Sequence, residues 1–385
     1  MKSSQLTIGF LRRGYSSTGG VESYLKGLAS GLLQQGHRPV LFGTEAWPVE
    51  EWPGGEILRC NGKGLSRYAA EVERHRKTSG INFDLTLSVE KVPGCDIYRT
   101  DEGVHAAWLD QRSQHITPWA RIFQRINPKH REKLRLEKEL FKPDATRRVI
   151  SLSNQISSDI EKYYGYPQAQ ISLIRNGVPC RPVATSEERL AARRELEIAP
   201  DKIVVLFVGT GWERKGLRFA IRAVERLNDP RVLLLVAGKG KQSRYASPVV
   251  RFLGPVREMA QVYAAAHLLV VPSIYEPFSL VALEALGAGI PVITSKVAGI
   301  SEILTHGVHG KVIERPSDIG ALSAALRHWI HLFENPEKAR AVHSACMELA
   351  SQFSLERNLS ETLVVIREVL EEKRSSEVVV NQQGV

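Results

Sequence analysis

The sequence predicts an α/β protein built from two Rossmann-like, doubly wound parallel-sheet domains. Three observations carry that prediction. Short apolar runs alternate with helix-period segments, the pattern of parallel strands covered by helices. A glycine-rich turn follows the first strand of each half. A chain of 385 residues exceeds one hydrophobic core and suits two of ordinary size, which also gives a cleft. In the first half, residues 6–11 read as a strand, and Val21, Leu25, Leu28 and Leu32 mark one face of a helix that Gly36 stops. Strands are then expected at 39–43, 85–89 and 149–153, with a helix over 154–164. After a charged stretch at 186–198, read as a short helix, a second unit opens with a strand at 202–208. Strands follow at 232–237, 250–253, 268–272, 292–295 and 311–313, with helices starting near Gly216, Arg257, Ser279, Gly299 and Asp318. Asn-Gly and two prolines within 176–182 mark the boundary. The expected organisation is 1–178, 179–354, and a terminal segment 355–385 carrying a last long helix over 355–373.

Hydrophobic content of 43% with 24% charged residues is that of a soluble globular protein. No apolar run approaches the ~20 residues that span a bilayer, and the N-terminus enters a strand without a signal-like sequence, so a cytoplasmic location is expected. Cys60, Cys95, Cys180 and Cys346 lack CxxC spacing, which argues against a zinc site or a disulfide framework. The net charge of +10 is uneven: positions 111–148 hold eleven Lys or Arg against four Asp or Glu. Trp108, Trp119, Ile122, Phe123 and Ile126 border or interleave with that segment, and a basic surface carrying aromatics attracts anionic lipid head groups. A solvated, salt-bridged helix over 129–140 is the plainer reading. No RNP, zinc or helix-turn-helix signature accompanies the charge, so nucleic acid is not an expected partner. A noncatalytic basic protein binding membrane or nucleic acid through 111–148 stands as the alternative function class.

Two carboxylates seven residues apart, in Glu276-Pro-Phe-Ser-Leu-Val-Ala-Leu-Glu284, lie where an apolar strand gives way to a helix. Pro277 suits a first helical turn, so the helix is expected to begin just after Glu276, with free amides at Phe278, Ser279 and Leu280. Such a terminus attracts phosphate. Glu284 is expected about two turns further along a similar face. Gly209-Thr-Gly211-Trp-Glu-Arg214-Lys215-Gly216 follows a strand and opens a helix, letting backbone approach a ligand while two cations face the same crevice. In the other half, Gly14-Tyr-Ser-Ser-Thr-Gly19-Gly20 follows the first strand but lacks GxGxxG spacing, and neither half offers a dinucleotide fingerprint.

These motifs, with Gly19-Gly20-Val21-Glu22 and Gly287-Ala-Gly289-Ile-Pro291-Val292, resemble those of the retaining glycosyltransferases of family four, over nearly the whole chain. The resemblance implies a GT-B fold, two Rossmann-like domains facing a central cleft, with a nucleotide sugar bound by the second domain, the acceptor by the first, and the 355–385 segment crossing back to the first domain. Arg214 and Lys215 would neutralise the departing diphosphate, Glu276 would hold the transferred sugar and Glu284 the ribose hydroxyls. Gly19, Gly20, Gly211, Phe278, Ser279 and Leu280 complete the implied donor site. No metal and no cofactor beyond the donor are implied, and same-face attack needs no protein nucleophile. The run Lys91-Val-Pro-Gly94-Cys-Asp-Ile-Tyr98-Arg-Thr-Asp101-Glu102-Gly103-Val-His105 is similar to that of the lipopolysaccharide-core glucosyltransferases, which implies UDP-glucose as donor and a glycan or lipid-linked acceptor. Asp101 or Glu102 would orient or deprotonate the acceptor hydroxyl and His105 would bond a sugar oxygen, with Asp101 and His105 preferred. A polar loop of solvated charges is the other reading of that run.

Overall fold

The computed structural model describes residues 5–17, 19–179 and 184–383. Cys180 and Pro182 lie outside the described residues. The chain divides into two compact units, Met1–Arg175 together with Glu356–Val385, and Asn176–Leu355.

The first unit is built on a parallel sheet of β1 (Thr7–Leu11), β2 (Arg38–Gly43), β3 (Ile57–Arg59), β4 (Leu85–Ser88), β5 (Ile97–Arg99), β6 (Arg148–Ser151) and β7 (Ile171–Leu173), in the order β3-β2-β1-β4-β5-β6-β7. Helices cover both faces, so the central strands read as apolar runs rather than alternating ones. Ile8, Phe10, Leu85, Leu87 and Ile97 meet Leu25, Leu28 and Leu32 of the Gly20–Gln34 helix in one core. The terminal Leu355–Gln383 helix adds Leu363, Ile366, Val369 and Leu370 to that same core. At ~1.5–3 kcal/mol for each fully buried aliphatic side chain, those four residues are enough to hold the helix on the first unit. Lys373 Nζ donates to the Asp84 carbonyl (2.6 Å) and pairs with Asp96 (3.2 Å), which itself accepts from Thr86 N and Oγ1, each at 2.8 Å.

The second unit carries β8 (Ile203–Val208), β9 (Val232–Ala237), β10 (Val250–Gly254), β11 (Leu268–Val271), β12 (Val292–Ser295) and β13 (Gly310–Ile313), all parallel, in the order β10-β9-β8-β11-β12-β13. This is the doubly wound order that reverses direction between its first and fourth strands, here β8 and β11.

Every strand expected in the second unit is present within a residue or two. In the first unit β3, β5 and β7 were not expected, and each is only three residues long. Runs that short carry no periodicity, and their neighbours supply their register: Ile97 pairs with Leu87 on one side and Arg148 on the other. The helix expected near Gly299 is a single 3-10 turn, Gly299–Glu302, and the terminal helix continues past Lys373 to Gln383.

His267 and Val204 exchange bonds at the amino-terminal ends of the two central strands, β11 and β8, of this second sheet. His267 N donates to the Val204 carbonyl, and Val204 N donates to His267 Nδ1, each at 3.0 Å. Burial, with Arg189 and Arg193 nearby, pushes the imidazole down to about 3. The fold therefore holds this ring neutral, while in the unfolded chain it binds a proton below its ordinary value of 6.5. Its contribution to stability is complete above that pH and is lost as pH falls toward the folded value. Urea midpoints should drop over this acid range, and His267→Gln should flatten the drop. An unchanged slope in that variant would show that His267 is not its source.

Candidate active site

In a doubly wound sheet, ligands bind outside the carboxyl ends of the strands where the strand order reverses. In the second unit that point lies between β8 and β11, so the loops at 209–216 and 272–279 are neighbours. One glycine lets them touch, and a second lets Lys215 fold back within its own loop. A Cβ on Gly216, at φ +77, would lie 2.0 Å from the Pro272 carbonyl oxygen, and one on Gly209 would lie 2.5 Å from Lys215 Cδ. Ile274 N donates to the Arg214 carbonyl at 2.7 Å, and Trp212 Nε1 closes the first loop on the Gly209 carbonyl at 2.9 Å.

This contact brings Lys215 Nζ and Arg214 Nη1 each to 2.9 Å from the same oxygen, Glu276 Oε2. Lys215 and Glu276 are 7% and 8% exposed, so neither is a solvated surface charge. Burial works to raise the Glu276 carboxyl, but Arg214 and Lys215 outweigh it and hold its pKa below the ordinary value. One carboxylate serves two cations, which leaves a net positive centre.

The helix itself starts later than expected. It runs Leu280–Gly287, with Ser279 as its N-cap, and Pro277 is outside it. Glu276 instead bridges to Ala298: its N–H donates to the Val297 carbonyl (3.3 Å) and its carbonyl accepts from Gly299 N (2.9 Å). The Phe278 carbonyl accepts from Ile300 N (2.8 Å), and this second strand-like tie delays the helix. The backbone N–H groups of Ser279, Leu280 and Val281 find no acceptor among the described residues. The open amides thus lie one residue further along than expected. Glu284 falls in the second turn rather than two turns past Glu276, and it accepts from Tyr263 Oη at 2.7 Å. Gly211, at φ +68, has open space where a side chain would stand, and the Phe278 ring is buried.

In the first unit the polar groups gather at the carboxyl ends of β1, β4 and β5. Arg12 bridges Glu22 (2.8 Å) and Glu90 (3.2 Å), both nearly buried. Gly19 caps the helix that Gly20 begins, and the Glu22 carboxylate folds over it: a Cβ on Gly19 would stand 1.8 Å from Glu22 Oε2. The amide end of this helix therefore already faces an acid of its own.

The run 91–105 is not a solvated loop. Lys91 is 2% exposed and pairs with Glu137 (3.4 Å) and Glu102 (3.6 Å) while donating to the Gly103 carbonyl (3.1 Å). Burial disfavours its charge, but Tyr98, Glu137 and Glu102 outweigh burial and keep the ammonium protonated. Asp101 is ion-paired to the buried Arg99, whose guanidinium stacks 3.7 Å from the Tyr24 ring centroid. Asp101 Oδ2 is buried without a partner, and burial, opposed by Arg99, raises its pKa. Glu102 is half exposed and bonded by Lys133 at 2.8 Å; Lys91 and Lys133 overcome its partial burial and hold it ionised. His105 stacks on Trp108 and lies 3.1 Å from His130, with burial and Lys91 pushing it down to about 3. It is a neutral ring at physiological pH.

Sequence reasoning missed Arg12, Glu90, Glu137 and Tyr263. Arg12 stands directly after the first strand, a position that could have been weighed. Glu137 sits in a run of alternating charges that reads as solvent-facing, and only the fold shows it fully buried.

Residues 202–331 match the family described as "Glycosyl transferases group 1". Over 177 residues the chain is 33% identical to the uncharacterized glycosyltransferase MJ1607 of Methanocaldococcus jannaschii, covering 42% of this chain and 45% of that one, so it spans about half of that relative's length. Against the lipopolysaccharide glucosyltransferase WaaG of Escherichia coli it is 23% identical over 344 residues, 84% of this chain and 89% of WaaG. The WaaG crystal structure superposes with a TM-score of 0.78 at 22% identity, covering 93% of this chain and 99% of that one. Anabaena Alr3699/HepE in complex with UDP-glucose superposes with a TM-score of 0.71 at 19% identity, covering 94% and 100%. The two parallel-sheet units have the GT-B fold.

The ion-pair geometry predicts an order of damage on unfolding. Glu276→Gln leaves Lys215 buried without a full counter-charge and should cost about 3 kcal/mol. Lys215→Met leaves Arg214 to serve Glu276 and should cost about 1–2 kcal/mol. Gly216→Ala forces both a clash and a left-handed alanine, at about 2 kcal/mol or more. Chemical denaturation measures all three, and a Lys215→Met more damaging than Glu276→Gln would refute the shared-carboxylate arrangement.

Proposed function

With residues 202–331 forming a group 1 glycosyltransferase domain in a chain homologous to WaaG, we propose that this protein is a retaining hexosyltransferase. It moves glucose from UDP-glucose onto a glycan or lipid-linked acceptor such as the lipopolysaccharide core. The observation that carries the reading is the Arg214–Lys215–Glu276 cluster beside the open amides of the Leu280–Gly287 helix. A diphosphate seated there meets two cations and the positive end of a helix dipole. As the bond between the sugar's anomeric carbon and the diphosphate oxygen breaks, charge develops on that oxygen, and Arg214, Lys215 and the amides stabilise it in place without a metal. The acceptor oxygen attacks from the same face, and its proton passes to the leaving phosphate oxygen.

Glu276, kept ionised by its cations, accepts hydrogen bonds from hydroxyls of the transferred sugar, and Glu284, oriented by Tyr263, accepts from the ribose. On the acceptor side, the unpartnered Asp101 Oδ2 accepts a hydrogen bond from the acceptor hydroxyl and orients it for attack, while the proton itself leaves with the phosphate oxygen. Neutral His105 accepts rather than repels a polar hydrogen. The Pro118–Ile126 helix supports a peripheral position on the inner face of a membrane. Trp119, Ile122, Phe123 and Ile126 are 74%, 51%, 68% and 61% exposed beside Arg121 and Arg125, and among the described residues no helix is long and apolar enough to cross a bilayer.

A panel of UDP- and ADP-sugars tests the donor. UDP-glucose should raise the melting temperature, at 100 times its Kd by an equivalent of about 2.7 kcal/mol, and UDP should be released slowly even with EDTA present. Lys215→Ala should lower transfer by about 100-fold or more. A folded protein that no sugar nucleotide stabilises would sink the assignment. For the surface, vesicles rich in anionic lipid should sediment the protein at low salt and release it at high salt, and Trp119→Ser with Phe123→Ser should abolish sedimentation.

A further inference from the structure

Ser279 is strained where a glycine would not be. Three non-glycine residues among those described have positive φ: Glu197, Asn228 and Ser279. Glu197 and Asn228 follow the C-terminal ends of helices, where the left-handed conformation is routine. Ser279, at φ 85 and ψ 81, is instead an N-cap. A serine there ordinarily takes an extended backbone and turns its hydroxyl back to accept from the second or third helical amide. Here the side chain makes no capping bond, its hydroxyl is buried without a partner, and the residue is 4% exposed.

The usual benefit of an N-cap serine is therefore absent, and the strain of a left-handed side chain is present. Two consequences follow from the same rotation: the helix amides stay open, and a hydroxyl donor stands beside them with nothing to bond. Both match one guest, an anionic oxygen at the helix start. We infer that the Ser279 hydroxyl is a ligand group, donating to a phosphate oxygen of the nucleoside diphosphate. The inference rests on the donor site proposed above and adds a side-chain contact to its amides and cations. The hydroxyl keeps its own proton throughout, so it positions and holds the diphosphate and takes no part in bond making.

Isothermal titration with UDP on the full chain tests it, using wild type, Ser279→Gly, Ser279→Ala and Lys215→Ala. Ser279→Gly relieves the strain, so its unliganded melting temperature should equal or exceed that of wild type. Its affinity for UDP should nevertheless fall about tenfold, the loss expected for one hydrogen bond to a charged group. Ser279→Ala should lose the same affinity while keeping the strain. A role confined to the backbone turn predicts the reverse for glycine, with full affinity retained. If both serine variants bind UDP like wild type while Lys215→Ala does not, the diphosphate site stands and the hydroxyl assignment falls. Weakening in Ser279→Ala alone also overturns it, because the backbone would then be the cause. If wild type itself fails to bind UDP, the donor reading fails and this inference with it.

Discussion

A single carboxylate oxygen shared by two cations organises the second unit's crevice. Glu276 Oε2 takes both Arg214 and Lys215, and everything near it depends on that geometry. A buried ion pair is a poor source of net stability, because desolvating the charges offsets most of their attraction. What it does here is hold two long cationic side chains on one spot, beyond the carboxyl ends of β8 and β11 where backbone amides also converge. With one negative charge against two positive ones, the centre keeps an attraction for a further anion.

The first unit answers with the opposite balance. At its strand ends Arg12 lies between Glu22 and Glu90, Lys91 is held by Glu137 and Glu102, and Asp101 has one oxygen left over. Acids outnumber what their cations can satisfy, and the helix starts at Gly20 and His105 are already faced by Glu22 and Glu137. A region of surplus acceptors suits a ligand rich in hydroxyl donors, whereas surplus donors in the second unit suit phosphate. The same fold principle, polar groups at the carboxyl ends of strands, thus produces two chemically distinct clusters within one chain.

Packing keeps each site in place. The Leu355–Gln383 helix lies in the first unit's core, and Tyr24 reaches its Thr362 at 3.4 Å while supporting the Arg99 guanidinium that pairs with Asp101. In the second unit, Trp212 stacks on Phe252 and closes the loop that carries Arg214 and Lys215.

By itself the sequence determined the parallel α/β class, every strand of the second unit, and the residue types of the loops at 209–216 and 276–284, because these depend on local periodicity and on glycines that sit directly after strands. Arg214, Lys215 and Glu276 could be named in advance for the same reason. Only the tertiary structure decided that the helix begins at Leu280 rather than after Glu276, since the delay comes from bridges to residues 297–300 that lie some twenty positions away in the chain. It likewise decided that Lys91 and Glu137 are buried partners rather than solvated charges. Burial of a charge is a property of what packs around it, and residues remote in sequence, Glu137 for Lys91 and Tyr164 for Glu137, supply those surroundings.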